Sequence, residues 1–167
     1  MCNKVNVLNK YIKIYNFYIF KCQLNLLNTF NKNTGLAMYS KTTRNIHVTV
    51  ISVYLDGYSS PSNNHYVWAY RVKIKNSSKE IVRITKRHWQ IIDSTGIIRE
   101  ISGIGVVGNQ PILKPEEHFE YTSACPLTTP SGIMVGSYTM ETNEGIIFKV
   151  SIPAFSLDSP HDTIQIN

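Results

Sequence analysis

The stretch WAYRVKIK, residues 68–75, decides the fold of this chain, because apolar and polar side chains alternate along it without a break. A period of two places all of its large apolar residues on one face of a half-buried β-strand. That face consists of Trp68, Tyr70, Val72 and Ile74.

The same alternation recurs on both sides of this stretch, in short runs that are separated by turn residues. We predict about seven strands, near 46–55, 68–75, 81–93, 97–101, 119–125, 134–140 and 148–152. The apolar face changes between Ile84 and Trp89, which predicts a β-bulge or a kink. No helical period occurs in the body of the chain. The fold class is therefore all-β, an antiparallel β-sandwich of the immunoglobulin or fibronectin type III kind, with a small barrel as the alternative. A Cys…Trp…Cys spacing is absent, which excludes a true antibody-type domain.

The length of 167 residues is typical of one domain, and 43% hydrophobic with 17% charged residues is typical of a globular one. The formal net charge is +6, but it is unevenly placed. Residues 1–37 hold five lysines and no acid, whereas the remainder holds 12 basic and 11 acidic residues. A nucleic-acid-binding body would carry its own basic surface, so we expect no nucleic-acid binding.

Residues 1–37 form an Asn/Lys-rich N-terminal extension. Its longest apolar run, residues 17–20, is far too short to cross a bilayer, and we expect no membrane span. The extension lacks the apolar centre of a secretory signal. It also lacks Arg and Ser, which a mitochondrial presequence would favour. We interpret it as disordered, with at most a marginal helix over 5–30, or as upstream sequence before a natural start at Met38. The predicted domain covers 38–159, and 160–167 form a loose C-terminal tail.

Only one of the three cysteines, Cys125, lies outside the extension, so the body has no disulfide framework. This usage indicates a reducing compartment, and we expect a cytoplasmic protein. Cys125 has no His close in sequence, and we interpret it as a small buried hydrophobe. Ser123 lacks a G-x-S-x-G context. We therefore predict no catalytic residue and no enzyme activity.

The stretch GIGVVG, residues 103–108, has the spacing of a phosphate-binding loop. A dinucleotide-binding fold requires a strand before this motif and a helix after it, because the helix N-terminus holds the pyrophosphate. Here Pro111 follows and strand-like residues resume. The dinucleotide reading therefore fails, and no Gly-Lys-Ser/Thr supports a P-loop.

Two interpretations of these glycines remain open. The one we favour is structural, in which the glycines form bulges or a close crossing between two sheets. In the other, backbone amides form a nest for pyrophosphate or a nucleotide, with basic side chains nearby. The candidate residues of that anion site are Gly103, Gly105, Gly108, Arg99 and Lys114, with Arg87 as a further neighbour.

The histidines are scattered, and none lies two or four residues from another. His118, beside Glu116, Glu117 and Glu120, forms the best local group of metal-ligating types. A charged loop is the commoner explanation for such a group, because a hard-cation site needs several converging oxygens. We predict neither a metal site nor a cofactor.

Several stretches together resemble the signature of the ApaG family. They are GxGVVGxQP at 103–111, FxYxS at 119–123 and PLxTPSGxMxGxYxM at 126–140, with HYVWAY at 65–70 and the pair Arg87 and Trp89. The match covers roughly 39–159. Two positions depart from the family pattern, since Glu116 and Ala124 stand where glycine is usual. At Glu116 the chain must accept a left-handed backbone or adopt another turn, and we expect local adjustments at both positions.

The resemblance implies a fibronectin type III-like sandwich. Bacterial members are associated with cobalt resistance and magnesium efflux, and their gene often neighbours one for a dinucleoside-tetraphosphate hydrolase. Related eukaryotic domains serve as interaction modules in an F-box protein and a polymerase-interacting protein. The family has no agreed catalytic residues to carry over.

We therefore predict a non-enzymatic β-sandwich protein that binds a protein partner of unknown identity and is linked to cobalt and magnesium homeostasis. Its exposed sheet edges allow a homodimer. The alternative is a small binding protein for pyrophosphate, nucleotide or a divalent cation at the glycine-rich loop.

Overall fold

A computed structural model of the chain describes Phe30 and residues 36–160. Most of the predicted N-terminal extension and C-terminal tail therefore lies outside the described residues, and the predicted domain limits stay predictions. Within the described part, no helix is both long and apolar enough to span a membrane.

The described residues form nine β-strands and two 3-10 helices. The strands are β1 (Met38–Thr43), β2 (Ile46–Tyr54), β3 (Tyr66–Asn76), β4 (Val82–Asp93), β5 (Ile98–Ile104), β6 (Ile112–Leu113), β7 (His118–Leu127), β8 (Ser131–Thr142) and β9 (Ile147–Asp158). The 3-10 helices, Asp56–Tyr58 and Pro61–Asn63, lie between β2 and β3. The predicted all-β class is confirmed. The count of about seven strands was too low, because β1 is a largely polar edge strand and β6 has only two residues.

The strands form two antiparallel sheets that pack as a sandwich. One sheet has the order β1-β2-β3-β7, and the other has the order β5-β4-β8-β9 with β6 paired to β4. The register between β4 and β8 shifts between Ile84 and Lys86, which confirms the predicted bulge. After the shift, Arg87 and Trp89 continue the inward-facing side of β4 that Ile84 began.

The core lies between the sheets and is rich in aromatic side chains. The face predicted from residues 68–75 is buried, with Trp68 only 1% exposed. The Trp89 ring makes edge contacts with Tyr70 and Phe155, at centroid distances of 5.6 and 6.0 Å. Opposite Trp89 on β8 stands Gly136, where a Cβ atom would lie 2.3 Å from the His88 carbonyl oxygen. A glycine is therefore required at this position for the strands to pair beneath the indole.

The two positions that depart from the family pattern have different outcomes. Glu116 adopts a left-handed backbone with φ of 67°, so the chain accepts strain rather than changing the turn. Ala124 lies inside β7, opposite Ala69 on β3. A methyl group there projects to the outer side of the four-stranded sheet.

Candidate functional site

The glycine-rich stretch forms a tight hairpin between β5 and β6, and we call residues 103–110 the glycine hairpin. Val106 and Asn109 exchange two backbone hydrogen bonds, with N···O distances of 2.8 and 2.9 Å. Between them, Val107 and Gly108 have φ values of 48° and 79°. Positive φ at both central residues is the backbone pattern of a type I′ turn.

At Gly105, the glycine hairpin has no room for a side chain. Its φ is 57°, and an added Cβ would lie 1.9 Å from the Asn109 carbonyl oxygen. Its N–H donates to the Thr85 carbonyl oxygen at 2.8 Å, which ties the hairpin to the bulge of β4. The glycine thus serves a close backbone approach, as the structural interpretation expects.

Three amides of the glycine hairpin are already bonded within the protein. Those of Gly105, Val106 and Asn109 donate to backbone carbonyls. Among the described residues, no acceptor is bonded to the amides of Val107 and Gly108. An anion at the hairpin would therefore be held by two amides at its exposed tip.

The basic side chains proposed for the anion site do not converge on the glycines. Arg99 lies four positions before Gly103 on β5, which is about 13 Å along a strand, and it donates to the Pro126 carbonyl oxygen at 3.0 Å. Lys114 follows β6, which pairs with the first residues of β4. Only Arg87 is adjacent, since its Nη1 donates to the Gly105 carbonyl oxygen at 3.1 Å. The anion site stays a prediction.

A group of buried hydroxyls lies between the two sheets. The Tyr121 and Tyr138 hydroxyls are hydrogen-bonded at 2.5 Å, which joins β7 of one sheet to β8 of the other. Burial raises the pKa of both tyrosines well above the usual value, and raises that of Tyr70 to about 12. These groups stay protonated at neutral pH, so they hold the sheets together as hydrogen-bonding groups and not as bases.

Cys125 is the free thiol of the described residues, and it is 2% exposed. Burial raises the pKa of the thiol to about 12, and the nearby Arg99 opposes the rise only in part. The reactive thiolate is therefore absent at neutral pH. This agrees with the interpretation of Cys125 as a buried hydrophobe.

The side chains near His118 that could ligate a metal form separate ion pairs. Glu116 pairs with Lys75 at 2.7 Å, and Glu120 pairs with Lys73 at 3.1 Å. The His118 ring lies 3.8 Å from Glu120. Across the described residues, no group of three or more His, Cys, Asp or Glu side chains could hold a metal ion.

The outer side of the four-stranded sheet carries a second apolar cluster, separate from the core. We call it the outer apolar face, and its residues are Ile51, Val53, Leu55, Val67, Ala69 and Ala124. Phe30, from the segment before β1, packs on it and is only 6% exposed. The Arg71 guanidinium carbon lies 5.0 Å from the centre of the Phe30 ring, a cation–π contact.

Sequence reasoning missed this surface, although one signal of it exists. The run VISVYL, residues 50–55, is apolar in both alternating phases, so β2 presents apolar side chains on both faces at this end. A strand that is covered on both faces reads as a continuous apolar run. The matching positions on β3 and β7 are adjacent only through strand pairing.

A cleft of about 350 Å³ lies next to the outer apolar face, on the same side of the sheet. Ile51 and Arg71 border both the cleft and the Phe30 cluster. The far end of the cleft is lined by the ion pair of Lys73 and Glu120. This side of the sheet thus passes from an apolar end to a charged end.

Comparison with known proteins gives a family match that includes the glycine hairpin. The family model described as the ApaG domain matches residues 56–142, which contain the glycine hairpin. The chain belongs to the ApaG family. Protein ApaG of Paramagnetospirillum magneticum is 56% identical over 130 residues, which are 78% of this chain and 100% of the relative. Protein ApaG of Parvibaculum lavamentivorans is 56% identical over 124 residues, or 74% of this chain and 95% of the relative.

A solved structure gives the same result for the fold. The crystal structure of the putative ApaA protein from Bordetella pertussis superposes with a TM-score of 0.68 at 44% sequence identity, and covers 70% of this chain and 95% of that one. The resemblance to the ApaG family and the sandwich fold are therefore confirmed.

Proposed function

We propose that this ApaG-family chain is a non-enzymatic protein-interaction module. The observation that carries the proposal is the outer apolar face, where a sheet surface remote from the core accommodates the side chain of Phe30. Sandwich domains commonly bind partners through sheet faces and edges, since main-chain groups and alternate side chains are presented there. Contiguous apolar surface marks interaction sites where it is exposed, and here Phe30 packs with Val53, Leu55 and Val67, which are 5–8% exposed.

The burial of the reactive side chains supports the non-enzymatic part of the proposal. The Cys125 thiol is protonated, and the tyrosine hydroxyls bond to one another between the sheets. Nucleophilic catalysis needs an accessible, activated group. The apolar side chains of the outer apolar face, in contrast, project away from the core.

A cytoplasmic location and a link to cobalt and magnesium homeostasis belong to the same proposal. A free cysteine at Cys125 is compatible with a reducing compartment. The resemblance to the family supports the homeostasis link, which on this view acts through a partner protein. If so, a strain that lacks the gene should become cobalt-sensitive, and expression of the Ile51→Asp variant should fail to restore resistance.

Affinity capture from the native cell tests the interaction module directly. The full chain is the bait, and Ile51→Asp, which places a charge on the half-buried edge of the outer apolar face, is the matched control. We expect a partner that the full chain retains and the Ile51→Asp bait does not. Absence of any specifically retained protein would count against the interaction module. Sedimentation of the same proteins tests the homodimer, which would form through the sheet edges.

A second candidate function is binding of pyrophosphate, a nucleotide or a divalent cation at the glycine hairpin. The observation that favours it is the pair of unbonded amides at Val107 and Gly108, with the Arg87 guanidinium bonded to the Gly105 carbonyl oxygen of the same hairpin. Successive amides of a tight turn can hold an anion. Calorimetry of the full chain with pyrophosphate, ATP and Co²⁺ tests it, and no heat with any of them would exclude it. If heat appears, Arg99→Ala and Lys114→Ala show whether those side chains contribute to the site.

A further inference from the structure

We propose that two copies of this chain associate through the free edge of β5. The two β5 strands pair antiparallel about a two-fold axis at Ile101, which joins the two β5-containing sheets into one continuous sheet. This inference rests on the homodimer of the proposed function and names the edge and the register that form it.

β5 is the least protected sheet edge of the sandwich. Among the described residues, the other strands of more than two residues that lie at an edge are β1, β7 and β9. They carry Lys41, Pro126 and Pro153 respectively, and lysine and proline discourage pairing at an edge. β5, with the sequence IREISGI, has neither. Its three isoleucines are all exposed, at 58% for Ile98, 41% for Ile101 and 73% for Ile104.

Every second residue of β5 points its backbone N–H and C=O groups away from β4. Before the strand, the Asp93 N–H donates to the Ile97 carbonyl oxygen at 3.1 Å; after it, the Gly105 N–H donates to the Thr85 carbonyl oxygen at 2.8 Å. The register between β4 and β5 is unbroken between these two bonds, so the odd-numbered residues bond to β4 and the even-numbered ones face outwards. No described strand pairs with that outward side. The unpaired main-chain groups belong to Ile98, Glu100, Ser102 and Ile104.

The sequence of β5 is self-complementary in one antiparallel register. With the two-fold axis at Ile101, this residue faces its own copy, and Ile98 faces Ile104 of the second copy. All three isoleucines then lie against isoleucines, and every outward-facing residue of one strand meets an outward-facing residue of the other. Because the hydrophobic pattern sets strand register, this alignment is favoured over its neighbours.

The two charged side chains of β5 fit the same register. Arg99 donates to a carbonyl of β7 in its own chain at 3.0 Å and would face Gly103 of the second copy. Glu100 accepts a hydrogen bond from Gln90 at 2.8 Å and would face Ser102. One step towards Arg99, the axis would oppose the two Glu100 carboxylates, and one step the other way it would set Glu100 against an isoleucine. Like charges directly opposite each other destabilise a strand pair.

The dimer also extends an exposed apolar row on the outer face of the sheet that contains β5. Ile133, Ile92 and Ile98 are directly paired across β8, β4 and β5, and Ile133 is 49% exposed. In the proposed register, Ile104 of the second copy is the next member of this row. Apolar contact is thus added to the main-chain hydrogen bonds. Since the interface is one short strand pair, we expect a dissociation constant on the order of 10 μM.

Sedimentation velocity of the full chain between about 1 and about 500 μM tests the dimer, which should form as the concentration rises. Ser102→Pro removes an outward-facing N–H and no bond to β4, and proline is tolerated at a sheet edge. We expect it to weaken dimerisation roughly tenfold or more and to leave the thermal unfolding midpoint of the monomer close to that of the wild type. Ile98→Lys should weaken dimerisation as well. Ile147→Lys is its matched control, because Ile147 is 70% exposed but lies on β9, and it should dimerise as the wild type does.

A disulfide cross-link tests the register. At the axis, the two copies of position 101 form a non-hydrogen-bonded pair with Cα atoms about 4.5 Å apart, which a disulfide can bridge. Ile101→Cys should therefore give a covalent dimer with oxidised glutathione, which takes up the two electrons and two protons of the thiols. Ser102→Cys, one residue further along, faces Glu100 and not its own copy, so it should not cross-link. Peptide mass spectrometry distinguishes a disulfide at position 101 from one that involves a native cysteine.

A monomer at every concentration would overturn the inference, and so would a dimer that Ser102→Pro leaves intact or a cross-link that forms at position 102 and not at 101. If Ser102→Pro fails to fold, Ile98→Lys and the cross-link decide. Failure of the interaction module is a separate result. If the chain stays monomeric but a native partner is retained and is lost on Ile51→Asp, the module stands and the β5 dimer fails. If the dimer forms through β5 and no native partner is retained, the inference stands and the module fails.

Discussion

The glycine hairpin and the outer apolar face differ in how they relate to the sequence. The hairpin is the most conspicuous motif in the chain, yet its glycines are accounted for by a tight turn and by the close approach of Gly105 to Asn109. The outer apolar face has no linear motif, yet it accommodates Phe30 from outside the sandwich. A motif can thus report backbone geometry, whereas a binding surface can arise from side chains that only strand pairing brings together.

Substitution of Gly105 should give the largest effect, because it breaks the hairpin at its most crowded point. Gly105→Ala places a Cβ against the Asn109 carbonyl oxygen and strains a positive φ. We expect it to lower the free energy of unfolding by about 3 to 5 kcal/mol. Urea denaturation of the full chain measures this.

Gly108→Ala is the matched control for the crowding. Gly108 also has a positive φ, of 79°, but an added Cβ would meet nothing within 4 Å. Only the backbone strain remains. Its cost is partly offset because alanine makes the unfolded chain stiffer than glycine does, and we expect a net loss of about 1 kcal/mol in the free energy of unfolding. Equal losses at the two glycines would show that crowding at Gly105 is not what the motif records.

Unfolding at alkaline pH tests the buried tyrosine hydroxyls and the Cys125 thiol, which lie in the core between the two sheets. The buried tyrosines and Cys125 have folded pKa values above those of the unfolded chain, so their contribution to stability is complete below about pH 9. It is lost as pH rises towards their folded values. Each group should then lower the free energy of unfolding by about 1.4 kcal/mol per pH unit.

Urea denaturation between pH 8 and 11 measures this slope. The double variant Tyr121→Phe/Tyr138→Phe removes two of the titrating groups together, so neither hydroxyl is left without its partner. Its slope should be shallower than that of the wild type. An unchanged slope would mean that these tyrosines titrate normally, and that the sheets are not joined through protonated hydroxyls.

At the tip of the glycine hairpin, Val107→Asn should stabilise the protein. Val107 has φ of 48°, which a β-branched residue tolerates poorly, whereas Asn before Gly is the preferred type I′ pair. We expect a gain of about 1 kcal/mol in the free energy of unfolding. Ile104→Asn is the control, since Ile104 is 73% exposed and lies in β5. A similar gain in both variants would point to lower surface hydrophobicity and not to the turn.

The comparison also shows how far the sequence determines the structure. Strict alternation predicted β3. One face of that strand packs in the core, and half of the other face carries Arg71, Lys73 and Lys75. β1 escaped prediction because its outer and inner residues are both mostly polar. The bulge at Ile84 followed from the change of face.

The sites were harder to predict than the strands, for a physical reason. Sequence spacing grouped Arg99 and Lys114 with the glycines, but the Arg99 side chain bonds to the Pro126 carbonyl, and Lys114 follows β6 beside the first residues of β4. The outer apolar face depends on three strands and on Phe30, which no local pattern relates to them. Phe30 falls within the extension that composition alone marked as separate from the domain.

The smallest expected effect lies at the charged end of the same sheet surface, where Glu116 adopts the left-handed backbone. Glu116→Gly relieves that strain, gives the unfolded chain more freedom and removes the surface ion pair with Lys75. The net gain should be about 0.5 kcal/mol. Glu116→Ala removes the same ion pair but keeps the strain, so it should be neutral or slightly destabilising. The difference between the two variants in urea denaturation isolates the backbone term, which should favour Gly by about 1 kcal/mol. If Ala is the more stable of the two, the left-handed backbone at Glu116 holds no strain that glycine relieves, and the departure from the family glycine costs nothing.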